Sequence, residues 1–132
     1  MVVARGHDGP AVIVGVGLDL VEVSRVTRML SRHGRRLLER CFAPGEVTRP
    51  QDPQHVAGLL AAKEAAFKAL GSGWGGGVGW RDPVVERSDT GRPRLVLAGN
   101  AAMLGSALGV RSVHLSITHT GGVAVAIVIL ET

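Results

Sequence analysis

Ala61-Ala-Lys-Glu-Ala-Ala-Phe-Lys-Ala-Leu-Gly-Ser-Gly73 is rich in strong helix formers and contains no Pro or internal Gly before position 71. The spacing predicts the second half of a long helix that starts near Pro53, a favourable first-turn residue, and stops at Gly71. Glu64 and Lys68 then stand at i and i+4 on one face, about 6 Å apart along the axis. Taken alone, the pair also fits an ordinary solvated ion pair contributing a few tenths of a kcal/mol.

Outward from this helix, β-branched apolar runs alternate with turn residues. Residues 12–19 read as a buried strand that delivers one carboxylate, Asp19, at its end. Val23, Val26, Met29, Leu30, Leu37 and Leu38 carry helical spacing between Val21 and Arg40, and Ser31 to Gly34 should split that span into two helices. The Pro- and Gly-punctuated stretch from Pro44 to Pro53 reads as turns around a possible short helix. Asp82–Ser88 and Pro93–Leu97 read as a hairpin across Asp89-Thr90-Gly91. Ala98–Leu108 reads as a helix ended by Gly109, and Ser112–Ile117 and Val123–Leu130 as a last strand pair. Hairpin-linked strands with clustered helices predict an α+β fold with a mainly antiparallel sheet. Residues 1–11 are expected to be a flexible extension and 12–132 a single domain.

Composition excludes several classes. A chain of 132 residues supports one core, and 45% apolar residues exclude disorder. The longest apolar run, Val123 to Leu130, is too short to span a bilayer as a helix. The first eleven residues lack the apolar core of a signal peptide, so a cytoplasmic location is expected. The single cysteine, Cys41, permits no internal disulfide and is expected to be packed. A net charge of +4 implies an anionic partner. Arg25, Arg28, Arg32, Arg35, Arg36 and Arg40 fall within sixteen residues, and between positions 28 and 40 only Glu39 opposes them. Single-stranded nucleic acid usually demands stacking aromatics beside such charge, and this chain has no Tyr, two Phe and two Trp. An acidic protein or a polyphosphate fits better.

Gly15-Val-Gly17 lacks the third glycine of a dinucleotide loop, since Leu20 holds that place, and no GxxxxGK[ST] loop occurs. Small residues there would let another element pack closely on the strand. Asp19 reads either as an acid at the start of the next helix or, with Glu64, as a hard oxygen pair of the kind that holds Mg²⁺ beside substrate phosphates. His119 reads as a surface residue at a strand end, with no second His at zinc spacing. His7, His33, His55 and His114 carry no supporting context. The glycines from Gly71 to Gly79 read either as a linker or as a loop that lets a ligand approach the backbone.

Three segments in order resemble one family: the Gly15-Val-Gly-Leu-Asp19 strand end, the Lys63-Glu-Ala-Ala-Phe-Lys68 helix with Gly71 and Gly73, and Ser116-Ile-Thr-His-Thr120 before a final apolar strand. Together they resemble the holo-acyl-carrier-protein synthases, the short single-unit class of 4′-phosphopantetheinyl transferases, from about Val12 to Glu131. The resemblance implies transfer of 4′-phosphopantetheine from coenzyme A to a serine of an apo acyl carrier protein, in fatty acid or polyketide-type biosynthesis. It implies Asp19 and Glu64 as ligands of Mg²⁺, for which Mn²⁺ could substitute, and Asp19, Glu64 and Lys68 as the catalytic set. Lys68, Gly71, Ser72 and His119 would contact coenzyme A, and Arg25, Arg32 and Arg35 would dock the acidic helix of the carrier. A homotrimer with coenzyme between subunits is implied as well, without nucleic acid or membrane. The serine proton would pass to Glu64 or to a cation-activated water; the residues do not rank the two. The chain departs from the family where a basic residue often follows Ala57-Gly58, because Leu59 stands there. Arg49 and His55 are the candidates to supply the missing charge to the coenzyme's 3′-phosphate. Two other readings fit parts of the sequence: a basic nucleic-acid module needing neither carboxylate, and a nucleotide-binding regulatory domain without chemistry.

Overall fold

The computed structural model describes residues 9–72 and 77–132. Most of the expected N-terminal extension and residues Gly73 to Gly76 of the glycine-rich stretch lie outside the described residues. The elements run β1 (Ile13–Glu22), α1 (Val23–His33), α2 (Arg35–Cys41), α3 (Pro53–Leu70), β2 (Pro83–Arg87), β3 (Pro93–Leu97), α4 (Gly99–Ala107), β4 (Ser112–Thr120) and β5 (Val123–Glu131). β1, β5 and β4 form one antiparallel sheet in that order, and β2 and β3 form a separate antiparallel hairpin. Val12 and Thr132 exchange hydrogen bonds of 2.9 and 3.0 Å, which ties both ends of the sheet together.

α3 is the axis of the molecule. Asp52 caps its start, accepting from the Gln54 and His55 amides at 3.1 and 3.4 Å. Gly71, at φ +74°, ends it in the left-handed conformation that a side chain disfavours. Most of its residues are buried, between the three-stranded sheet on one side and α1 and β2 on the other. An Ala-rich helix can lie this close to a sheet only if the strand beneath it is also small. Alternate residues of β1 face it: Gly15, Gly17, Asp19 and Val21. A Cβ at Gly15 would drive into the Ala69 carbonyl, and one at Gly17 into that of Ala65. The glycine pair is therefore a packing groove for α3, the close approach that the missing third glycine suggested.

Two expectations need correction. β1 continues to Glu22, so Asp19 lies inside the strand rather than after it. α1 begins only at Val23 and has no acid in its first turn, which removes the helix-start role for Asp19. The stretch from Pro44 to Pro53 forms turns without a helix. The break in the arginine-rich span falls at Gly34, at φ +47°, as the sequence suggested.

The outer face of the sheet carries Val16, Leu18 and Leu20, each more than half exposed, beside the half-buried Val125, Ile127 and Ile129 of β5. Its inner face, with Ala124, Ala126, Val128 and Leu130, is fully covered by α3. No described helix is long and apolar enough to cross a membrane.

Candidate active site

Asp19, facing inward one step beyond the glycine groove, meets the exposed edge of α3. Lys68 Nζ donates to Asp19 Oδ1 at 2.8 Å and to the Leu18 carbonyl at 3.0 Å. The Asp19 side chain is only 13% exposed while that of Lys68 is 57% exposed. Asp19 holds the Lys68 ammonium above its usual range. The second oxygen, Oδ2, is buried without a hydrogen-bond partner.

Glu64, one helical turn before Lys68, stands beside Asp19. Burial first, and then the Asp19 carboxylate, push its carboxyl up to about 7, against the opposing pull of Arg25 and Lys68. Two neighbouring carboxyl groups, with one Asp19 oxygen buried and reached by no N–H donor, form an acidic notch that a hard divalent cation would satisfy. Among the described residues no third His, Cys, Asp or Glu joins them. That donor set suits Mg²⁺, which keeps waters and takes substrate phosphate oxygens, and does not suit a structural zinc.

Glu64 also forms the wall of a cavity of about 490 Å³, with Arg25, Met29, Arg40, Cys41, Leu60 and Trp80 among its lining. Arg25 thus shares a cavity with Glu64, whereas Arg32 and Arg35 lie exposed farther along the helices. Arg35 pairs only weakly with Glu39, at 4.0 Å with both side chains largely in solvent. Cys41 is buried, and burial pushes its thiol up, as a packed rather than reactive cysteine requires.

The other three expected coenzyme contacts lie just past the end of α3 and on β4. Gly71 caps α3, and Ser72 Oγ donates to the Phe67 carbonyl at 3.4 Å. His119 is not brought to the carboxylates. It sits on β4, two strands from β1 or about 10 Å across the sheet. There it lines a separate cavity of about 270 Å³ with Arg49, His55, Leu59 and Arg87, and no residue lines both cavities. Burial and the neighbouring Arg49 and Arg87 lower the His55 pKa, so the positive field there comes from the two guanidiniums.

A second lysine–carboxylate pair lies deeper in the molecule. Lys63 Nζ lies 2.9 Å from Glu46 Oε2, with both side chains fully buried, and also donates to the Pro83 carbonyl. Glu46 accepts from the Ala43 and Val85 amides at 2.9 and 2.7 Å, and Lys63 lies over the Phe42 ring. One signal was legible: Lys63 shares a helix face with Leu59, Leu60 and Phe67, where a cation needs a partner. Arg87 was missed too, because nothing local links the end of a hairpin strand to Arg49.

A family model described as 4′-phosphopantetheinyl transferase superfamily matches residues 15–128. A holo-[acyl-carrier-protein] synthase of Anaeromyxobacter dehalogenans (strain 2CP-1) is 51% identical over 126 residues, covering 90% of this chain and 96% of that protein. One of Solibacter usitatus is 44% identical over 123 residues, covering 90% and 98%. The crystal structure of the Helicobacter pylori enzyme of that name, in complex with coenzyme A, superposes with a TM-score of 0.79 at 29% identity, covering 87% of this chain and 98% of that one. By sequence and by fold, this chain belongs to the holo-acyl-carrier-protein synthases of the 4′-phosphopantetheinyl transferase superfamily.

Proposed function

We propose that this protein transfers 4′-phosphopantetheine from coenzyme A to a serine hydroxyl of an apo acyl carrier protein, releasing adenosine 3′,5′-bisphosphate. The observation that carries the reading is the convergence of Asp19, Glu64 and Lys68 across the β1–α3 contact. The serine Oγ forms a bond to the pantetheine-side phosphorus as the bond to the bridging oxygen breaks. That oxygen leaves with the electron pair on the adenosine bisphosphate, and the serine proton goes to a base. Such chemistry is mostly positioning and charge neutralisation. Asp19 and Glu64 would hold Mg²⁺, which when bound neutralises the pyrophosphate. Lys68 supplies a compact, mobile positive charge to the same oxygens. Glu64, or a water on the cation that it would help to hold, would accept the serine proton.

The coenzyme's 3′-phosphate is a second dianion, remote from the reacting bond. Arg49 and Arg87, in the cavity that His119 lines, fit it and take over from the basic residue that Leu59 replaces. Within one chain this cavity and the carboxylate site are separate, so a coenzyme that spans both kinds of site is best served between subunits. The uncovered apolar face of β1 and β5 supports the same homotrimer, since monomers rarely leave a continuous stripe of that kind in water. Arg25, Arg32 and Arg35 lie on the exposed face available to an acidic carrier. A cytoplasmic enzyme serving fatty acid or polyketide-type carriers fits these features.

The test is mass spectrometry of an apo carrier after incubation with the protein, coenzyme A and Mg²⁺. A gain of one phosphopantetheine is expected. Coenzyme binding without that gain would replace this reading with a regulatory nucleotide-binding one.

A further inference from the structure

Lys68 occupies the ground that a cation would claim. Its ammonium is fixed by two acceptors, Asp19 Oδ1 at 2.8 Å and the Leu18 carbonyl at 3.0 Å. The other oxygen of the same carboxylate, Oδ2, has none and is buried. The two members of the pair also differ in freedom. Asp19 is nearly enclosed, on a strand clamped under α3, whereas Lys68 is mostly in solvent on a four-carbon stem with rotatable bonds. Only the lysine can leave.

We propose that Lys68 is a resident counter-ion of Asp19: it holds the carboxylate in place while weakening divalent-cation binding, and it moves to the coenzyme's phosphates when these arrive. The proposal rests on the function proposed above. Like charges gathered on one carboxylate repel, so an ammonium bound to Oδ1 lowers the affinity of any cation that uses Asp19. A polyphosphate offers the ammonium a stronger anion and removes that repulsion. Cation and coenzyme therefore bind with positive coupling beyond their direct contact, and by linkage each strengthens the other equally. The free enzyme then does not need a bound cation to keep Asp19 in place.

The experiment is titration of the full chain with Mn²⁺, read by the paramagnetic resonance of the free ion, first alone and then with saturating coenzyme A. Without coenzyme, Lys68→Met is expected to bind Mn²⁺ at least about fivefold more tightly than the unmodified chain, the lower end of ordinary coupling factors. Lys68→Gln should move in the same direction. With coenzyme A present the advantage should vanish, because the lysine of the unmodified chain has already left Asp19. Glu64→Ala should abolish tight Mn²⁺ binding in either background. Circular dichroism checks that the Lys68 variants, changed at an exposed position, and the Glu64 variant remain folded. If Lys68→Met binds Mn²⁺ no tighter than the unmodified chain, while that chain binds Mn²⁺ and modifies its carrier, this proposal alone is overturned. If the unmodified chain neither binds Mn²⁺ with coenzyme nor modifies a carrier, the functional reading falls and takes the proposal with it.

Discussion

Lys63 and Lys68 stand on one helix, each within 2.9 Å of a carboxylate oxygen, yet they belong to different kinds of structure. The Lys63–Glu46 pair is sealed. Both side chains are fully buried, and backbone amides and a carbonyl give each of them further hydrogen bonds. It joins the turn after α2, the central helix and β2, and is closed to solvent. The Lys68–Asp19 pair is open on one side. One oxygen of Asp19 is unspent, a second carboxyl crowds it, and the lysine faces water. The same two functional groups at the same distance make a staple in one place and a reactive site in the other. Satisfaction and solvent access, not the ion pair itself, decide which.

The largest effect should come from breaking the open site. Asp19→Ala and Glu64→Ala should each lower turnover by about three to four orders of magnitude, or about 4–5.5 kcal/mol of barrier. Their thermal midpoints should stay close to that of the unmodified chain, because neither residue fills the core. EDTA should reproduce the loss, and Mg²⁺ or Mn²⁺ should reverse it. Full turnover after exhaustive chelation would erase the proposed distinction between the two pairs.

The sealed pair should respond in the opposite currency. Lys63→Ala leaves Glu46 buried without its cation and should cost about 3–5 kcal/mol of folding stability, measured by urea denaturation. Lys68→Ala should change stability by about 1 kcal/mol or less, as exposed pairs do. A Lys63 variant as stable as the Lys68 one would mean that burial does not separate them.

Sheet association is the next level down. Leu18→Glu puts a charge in the middle of the uncovered apolar face and should yield a monomeric mass by light scattering. If coenzyme binds between subunits, its KM should rise about a hundredfold, near 2.7 kcal/mol. A monomer with unchanged coenzyme KM would place both halves of the site within one chain.

The mildest effect concerns the arginine face, where pairs are exposed and each contributes about 0.2–1 kcal/mol. Changing Arg25, Arg32 and Arg35 together to Glu should raise the KM for the carrier at least about tenfold, roughly 1.4 kcal/mol, with a weaker response at high salt. The coenzyme KM should barely move. Because Arg25 also lines the Glu64 cavity, the pair Arg32→Glu and Arg35→Glu separates docking from chemistry. Equal damage to coenzyme binding by that pair would show that the stripe is not a docking face.

Much of this was legible along the chain because the signals were local. The Pro53 start and Gly71 stop of α3, the Gly34 break and the Asp89-Thr90-Gly91 hairpin turn each depend on a few neighbouring residues. β1 runs three residues past Asp19, beyond the expected end, because Leu20, Val21 and Glu22 suit either a strand or a helix approach. Pairing with Val123 to Ala126 on β5 settled it. The resemblance pointed to His119 as a coenzyme contact without fixing where it would stand relative to the carboxylates.

By itself the sequence determined the antiparallel α+β class, the helix that carries Glu64 and Lys68, and the concentration of arginines on α1 and α2. Periodicity, capping and charge are written in consecutive residues, and those features need nothing else. Tertiary structure alone decided which lysine is inert. Glu46 reaches Lys63 and Asp19 reaches Lys68 across long stretches of chain, through contacts made only when β1 and β2 pack against α3. Tertiary structure also set His119 in a different cavity from Glu64, since strand order, not sequence distance, fixes which side chains share a space.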